Sequence, residues 1–358
     1  MPGRAAPLYT GEAPLLCPAD EQAVALASGP PILIVAVDTE AEFDWKGQFL
    51  RTHTSVKNIS NQMMAQAIFD RFGVRPAYLV DYAVATQPEG YLPLRNILQT
   101  GRCEVGAHLH PWITPPFAEE LSDQSSFSHN LPAWLQKEKL ATLTEAIVSS
   151  FGVRPTSYRA GRYGVGEEIA PILESLDYRI DMSVVPGIDM RRLHGPDFRQ
   201  TLGRPYWFGC NWRLLEIPLT ASFAGLLAHR NVSKALGIQL YDRLSQPNLV
   251  RMHVPGIFAR FHLLERISLT PEGVTLNELR RLTRALLSRG NRVFVFSYHS
   301  SSLLPGNTDY VRSSSELSRF LHTIEGYLEF FFNELRGTCV TPSELWSDLQ
   351  RQEAPTAP

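Results

Sequence analysis

Glu104-Val105-Gly106-Ala107-His108-Leu109-His110-Pro111-Trp112 reads as a strand that ends in two imidazoles, and upstream Ile32-Leu33-Ile34-Val35-Ala36-Val37 reads as a strand that ends in Asp38-Thr39-Glu40. Side chains along a strand alternate faces, so His108 and His110 point one way, and so do Asp38 and Glu40. Two imidazoles and a carboxylate suit a zinc-like divalent ion, and three protein ligands leave one coordination position open. The second carboxylate is then spare for proton transfer. Base and ligand roles are interchangeable between Asp38 and Glu40 at this level, and the pattern as a whole reads as a metallohydrolase.

Working outward, strand and helix alternate. The strand at 31–38 is followed by a helical pattern from Asn61 to Phe72 with Met64, Ile68 and Phe72 four apart, stopped by Gly73. Then come a strand at Ala77–Val80, a helix at Tyr91–Gln99 stopped by Gly101, and the strand Cys103–His110. A long loop from Pro111 to about Pro132 precedes a helix near 134–151, a strand at Thr156–Arg159, a helix at Glu167–Leu176 and a strand at Tyr178–Val184. Residues 186–270 resist parsing except for a strand at Leu214–Pro218. Regularity returns with a helix at 275–289, the strand Val293–His299 and a final helix from about Ser315 to Leu335, expected to pack outside.

Alternation of this kind predicts a parallel sheet, and about seven units predict closure, so the expected fold is α/β, a distorted (β/α)7-type barrel. Catalytic groups of such barrels come from the C-terminal ends of different strands. Every candidate here does: Asp38 and Glu40, His108 and His110, Arg159, and His299, whose face it shares with Val293, Val295 and Ser297. The barrel is expected over residues 31–305, with an N-terminal extension at 1–30 and a C-terminal helical extension at 306–358.

The 358 residues, 44% hydrophobic and 20% charged, suffice for one large core. A formal net charge of −2 gives no electrostatic basis for binding nucleic acid. Cys17, Cys103, Cys210 and Cys339 are dispersed without a C-x-x-C pair, so neither a disulfide framework nor a thiolate zinc site is indicated. No apolar stretch reaches a membrane-spanning length, and Pro7, Pro14 and Pro18 interrupt the N-terminal segment, so a cytoplasmic location is expected. Asn231-Val232-Ser233 then has no meaning as a glycosylation sequon. Gly161-x-x-Gly164-x-Gly166 reads as a turn into a helix, and Arg280-Arg281-Leu282-Thr283-Arg284 as the solvated face of one. His53, His129, His194, His229, His253 and His262 lack motif context and read as structural or surface residues.

With these positions in place, the chain resembles the polysaccharide deacetylases with the NodB homology domain, carbohydrate esterases that remove N-acetyl groups from amino sugars. The resemblance spans about residues 32–305 and rests on Val37-Asp38-Thr39-Glu40, the His108/His110 stretch, Tyr158-Arg159-Ala160-Gly161-Arg162-Tyr163-Gly164, Asp177-Tyr178-Arg179-Ile180-Asp181, and Ser297-Tyr298-His299-Ser300-Ser301. It implies a metal ion, zinc first, on Glu40, His108 and His110. It implies Asp38 as the general base that takes the proton of the attacking water, His299 as the acid for the departing amine, and Arg159, or Arg162 in its place, as the tether of the base. Trp112 and Tyr163 are expected to line the sugar site. Two departures stand out: the family's adjacent aspartates are here separated by Thr39, and its second histidine four residues on is here Trp112. The function expected is metal-dependent removal of N-acetyl groups from an amino sugar or glycan precursor. The alternatives are a non-catalytic carbohydrate-binding protein on the same barrel and a hydrolase of small non-sugar amides; the oligomeric state is left open.

Overall fold

The computed structural model describes residues 11–26, 29–44, 47–224 and 265–353. Its strands are β1 (Glu12–Ala13), β2 (Ile32–Thr39), β3 (Ala77–Val80), β4 (Glu104–Leu109), β5 (Ser157–Ala160), β6 (Ile180–Asp181), β7 (Tyr206–Cys210), β8 (Leu214–Glu216), β9 (Ala221–Ala224), β10 (Glu265–Ser268), β11 (Val293–His299) and β12 (Thr338–Cys339). The helices are α1 (Gln62–Arg71), α2 (Tyr82–Thr86), α3 (Pro88–Gln99), α4 (Ala133–Phe151), α5 (Ile169–Ser175), α6 (Leu276–Ser288), α7 (Ser314–Glu329) and α8 (Pro342–Glu353). The sequon and His229, His253 and His262 lie outside the described residues.

Among the described residues parallel strands follow one another as β11-β2-β3-β4-β5-β6-β8, with β12 pairing parallel beside the start of β2 and β7 and β1 added antiparallel at one end. The continuous apolar run of β2 suits a strand covered on both faces. Leu33, Val35 and Val37 pack outward against helices, whereas Ile34 and Ala36 join an interior cluster with Leu79, Met182, Ile217, Val293 and Val295. Asp38 and Ser297 continue that inner face. Curvature brings β11 and β8 toward each other, but among the described residues no ladder joins them. The gap is bridged by single hydrogen bonds: Leu269 N to Thr220 O at 2.8 Å, Val295 N to Thr220 Oγ1 at 2.8 Å and Ser297 N to Leu269 O at 3.1 Å. The barrel is thus distorted and laterally incomplete.

Local chemistry sets the helix ends. Gly152, at φ 72°, closes α4 in the left-handed conformation that glycine adopts without a Cβ penalty, and Thr275 and Glu278 form a reciprocal capping box on α6. Helix α7 packs on the outer face, where Phe320, Ile324 and Tyr327 join the outer core. The sequence pattern gave no sign of α8. Its Leu345 and Leu349 enter the interior cluster, Ser343 N bonds Glu104 Oε2 at 3.2 Å at the start of β4, and Arg75 pairs with Glu344 just before β3. Helix α8 therefore stoppers the mouth at the strand N-termini, leaving the opposite end for chemistry. The strand expected over 178–184 is shortened to Ile180–Asp181, and the helix expected from Tyr91 begins earlier, at Pro88.

Candidate metal centre and active site

Glu40, His108 and His110 meet at the C-terminal ends of β2 and β4. Each is buried, and their ligand atoms lie within 4.8 Å of one another. Glu40 Oε2 stands 3.4 Å from His108 Nε2 and 3.4 Å from His110 Nε2. Neither Glu40 carboxylate oxygen accepts a hydrogen bond, although both are buried. A buried carboxylate without donors is costly unless a cation takes their place, so this donor set fits one divalent ion. Burial raises the Glu40 carboxyl above its usual range against the pull of His299 and His108, and burial pushes His110 down to about 3, leaving the neutral imidazole a metal requires.

The backbone fixes this arrangement tightly. Glu40 N donates to Ser300 Oγ at 3.0 Å, and Asn58 Nδ2 donates to both Glu40 O and Ser300 Oγ. A Cβ at Gly161 would collide with His110 Cδ2 and Leu109 O, so the exit of β5 passes His110 at a distance only glycine permits. The outer nitrogens of the imidazoles are also engaged. His108 Nδ1 faces the Arg159 carbonyl at 3.2 Å, and His110 Nδ1 faces Asp81 Oδ2 at 3.4 Å.

Asp38 belongs to a second group. Its Oδ1 accepts from Arg159 Nη1, which also donates to Ser297 Oγ at 3.0 Å, while Arg159 Nε donates to Met182 O at 2.8 Å. Burial would raise the Asp38 carboxyl, but Arg159, with His108 and His299, outweighs it and holds the group below its ordinary value. His299 Nε2 lies 3.7 Å from Asp38 Oδ2, and His299 Nδ1 lies 2.8 Å from Glu272 Oε2. Burial alone would lower His299; Glu272, helped by Glu40 and Asp38, raises it to about 10, so the imidazole is protonated.

The floor formed by Asp38, Glu40, His108 and His299 opens into a cavity of about 690 Å³. Phe43, Tyr163, Met190 and Tyr310 give it apolar walls, and Asn307, Thr308, Asp309 and Arg312 a polar one.

Two expectations about individual side chains need correction. Trp112 is 1% exposed and is not among the residues lining this cavity; it stacks on His110 at 4.4 Å between centroids and packs on Phe43 and Phe49. It backs the ring of His110 and has no exposed face to offer a sugar. Arg162, in the left-handed region at φ 55°, turns away from Asp38, bonds Ser126 Oγ and lies over Phe127 and Phe49. It lines the cavity without bonding Asp38, whose arginine partner of the two is Arg159.

The sequence reading missed Glu272 and Asp81. Glu272 sits in a Pro271-Glu272-Gly273 turn with no motif to mark it. Asp81 was findable, because β3 lies between β2 and β4 and an acid at its C-terminal end must fall beside both ligand segments.

No family model matches the sequence, and no curated protein matches it. Among solved structures, a provisionally assigned polysaccharide deacetylase from Mycobacterium smegmatis superposes with a TM-score of 0.52 at 14% identity, covering 94% of this chain and 98% of its own. The chain has the polysaccharide-deacetylase fold. Two other structures are similar at TM-scores too low to add to this: Puue allantoinase (0.46, 11% identity, 92% and 96% covered) and the family 4 carbohydrate esterase from Streptomyces lividans in complex with acetate (0.40, 9% identity, 86% and 91% covered). No helix among the described residues is long and apolar enough to cross a membrane.

Proposed function

We propose that this chain is a metal-dependent amide hydrolase that removes acetyl groups from an N-acetylated amino sugar or glycan precursor. The observation that carries the reading is convergence: a carboxylate–imidazole–imidazole cluster, an arginine-held carboxylate and a carboxylate-held imidazole share one cavity floor. Perturbed titratable groups cluster at functional sites, and barrel enzymes carry theirs at the C-terminal mouth of the strands.

A divalent ion, zinc in this reading, would be held by Glu40, His108 and His110 and would supply Lewis acidity toward the acyl carbonyl. The remaining work falls to the chain. Asp38, kept ionised by Arg159, accepts the proton of the attacking water as its oxygen bonds to the acyl carbon. His299, kept protonated by Glu272, gives a proton to the nitrogen as the C–N bond breaks, so acetate and a free amine leave. Tyr163 and Tyr310 offer ring faces to a sugar, and the polar wall offers partners for its hydroxyls.

The cavity has the size of an ordinary small-ligand site, room for an acyl group with one or two sugar rings. That same size favours, as a second reading, a hydrolase of small non-sugar amides. Acetate release from N-acetylglucosamine and its oligomers, measured beside release from simple acetamides, separates the two. Turnover of the sugars that disappears on chelation and returns with zinc supports the proposal. Turnover of acetamides alone supports the second reading, and binding of a sugar without any turnover contradicts both.

A further inference from the structure

We infer that Asp81 is the positioning residue of the metal centre, one carboxylate that fixes two of the three ligands at once. The inference rests on the metal reading above and adds to it a residue that no motif marks.

Asp81 is wholly buried and lines no part of the cavity, so it cannot meet substrate. Its backbone N–H donates to Thr39 O at 3.1 Å, extending the β2–β3 pairing to the residue before Glu40. Its Oδ2 accepts from Ala41 N at 2.8 Å, the residue after Glu40, and the same oxygen faces His110 Nδ1 at 3.4 Å. Its Oδ1 accepts from Val84 N at 2.9 Å, capping α2. The chain on both sides of Glu40 and the ring of His110 are thus referred to a single anchored group.

The two imidazoles are backed differently. A neutral carbonyl stands behind His108, whereas a carboxylate stands behind His110. A carboxylate acceptor fixes the tautomer with its proton on Nδ1, aims Nε2 at the ion and makes that nitrogen more basic. His110 is also the ring that Trp112 stacks on, so its plane is set by packing and its rotation by Asp81.

Asp81→Asn tests this, because it keeps the shape and one acceptor oxygen, which can serve Val84 N or Ala41 N but not both, and carries no charge. Asp81→Ser, which still caps but is too short to reach His110, is the second variant. Zinc affinity of the purified proteins is measured by chelator competition, and the visible spectrum of the cobalt-substituted forms reports ligand geometry. Both variants are expected to bind zinc about 10–100-fold more weakly than wild type and to shift the cobalt bands, while the metal-free proteins stay folded with a melting midpoint lowered only by the loss of one buried hydrogen bond. A folded variant that binds zinc with wild-type affinity and shows the wild-type cobalt spectrum overturns the inference. A wild-type chain that binds neither ion overturns the metal reading itself, and this inference falls with it.

Discussion

His299 and Asp38 are register partners on neighbouring parallel strands, and this pairing puts the imidazole Nε2 3.7 Å from the carboxylate Oδ2 across the mouth of the barrel. Glu272 favours the protonated form of one group and Arg159 the ionised form of the other, so the proposed acid and base face each other with opposite charge.

Removing the acid separates amide from ester chemistry. An amine leaves poorly unless protonated, whereas a phenolate needs little help. His299→Ala should nearly abolish acetate release from an N-acetyl sugar while sparing much of the hydrolysis of phenyl acetate. Glu272→Gln should show the same bias more weakly, and equal losses on both substrates would make His299 a pocket-shaping residue only.

Arg159→Met should strand Asp38 as a buried carboxylate without its cation. Burial then dominates and the carboxyl rises, so the acid limb of the pH–rate profile should move to higher pH. The change should also cost about 3–5 kcal/mol of stability, as breaking a buried pair does. A variant with an unshifted acid limb would show that Arg159 does not govern the base.

Trp112→Ala should act through the metal centre. Truncating a fully buried aromatic costs about 3–5 kcal/mol, and here the cavity opens beside His110. Zinc affinity should fall, while the KM for sugar measured at saturating zinc should stay near wild type. A large rise in KM with unchanged metal affinity would return Trp112 to the sugar site.

A separate buried acid pair makes stability depend on pH. Asp181 and Glu216 are register partners on β6 and β8; burial raises Asp181 to about 6 against the hydrogen bonds of Ser183 and Glu216, and burial with the neighbouring Asp181 raises Glu216 well above its usual range. Groups raised in the folded state contribute stability that is full below their unfolded values, near 4, and is lost as pH climbs through the folded ones. The protein should therefore weaken between pH 5 and 8. Glu216→Gln should be more stable than wild type at pH 8, by on the order of 1–3 kcal/mol, with the gap closing toward pH 5. Parallel melting curves for the two proteins across that range would contradict this.

Much of the fold was legible because its signals are local. The run Ile32–Val37, the Val293–His299 face and the helix stops at Gly73, Gly101, Gly152 and Gly290 each declare an element from a few residues, and strand ends in a parallel barrel share one mouth. What escaped depends on long-range packing. Helix α8 sets Leu345, Trp346 and Leu349 against the interior cluster, and nothing in its text says that it stoppers the barrel. Glu272 reaches His299 across 27 positions of sequence from an ordinary turn. Trp112 carries the composition of a sugar platform, and only the packing of Phe43 and Phe49 around it shows that it is covered.

Bound metal, measured by elemental analysis on the purified protein and its variants, tests the account most directly. The prediction is about one equivalent of zinc per chain, lost in His108→Ala and in His110→Ala and retained in Asp38→Asn, whose turnover falls by roughly two to four orders of magnitude. Histidine variants that keep the wild-type metal content, or an Asp38→Asn protein that loses its metal, would contradict the assignment of ligands and base on which the mechanism stands.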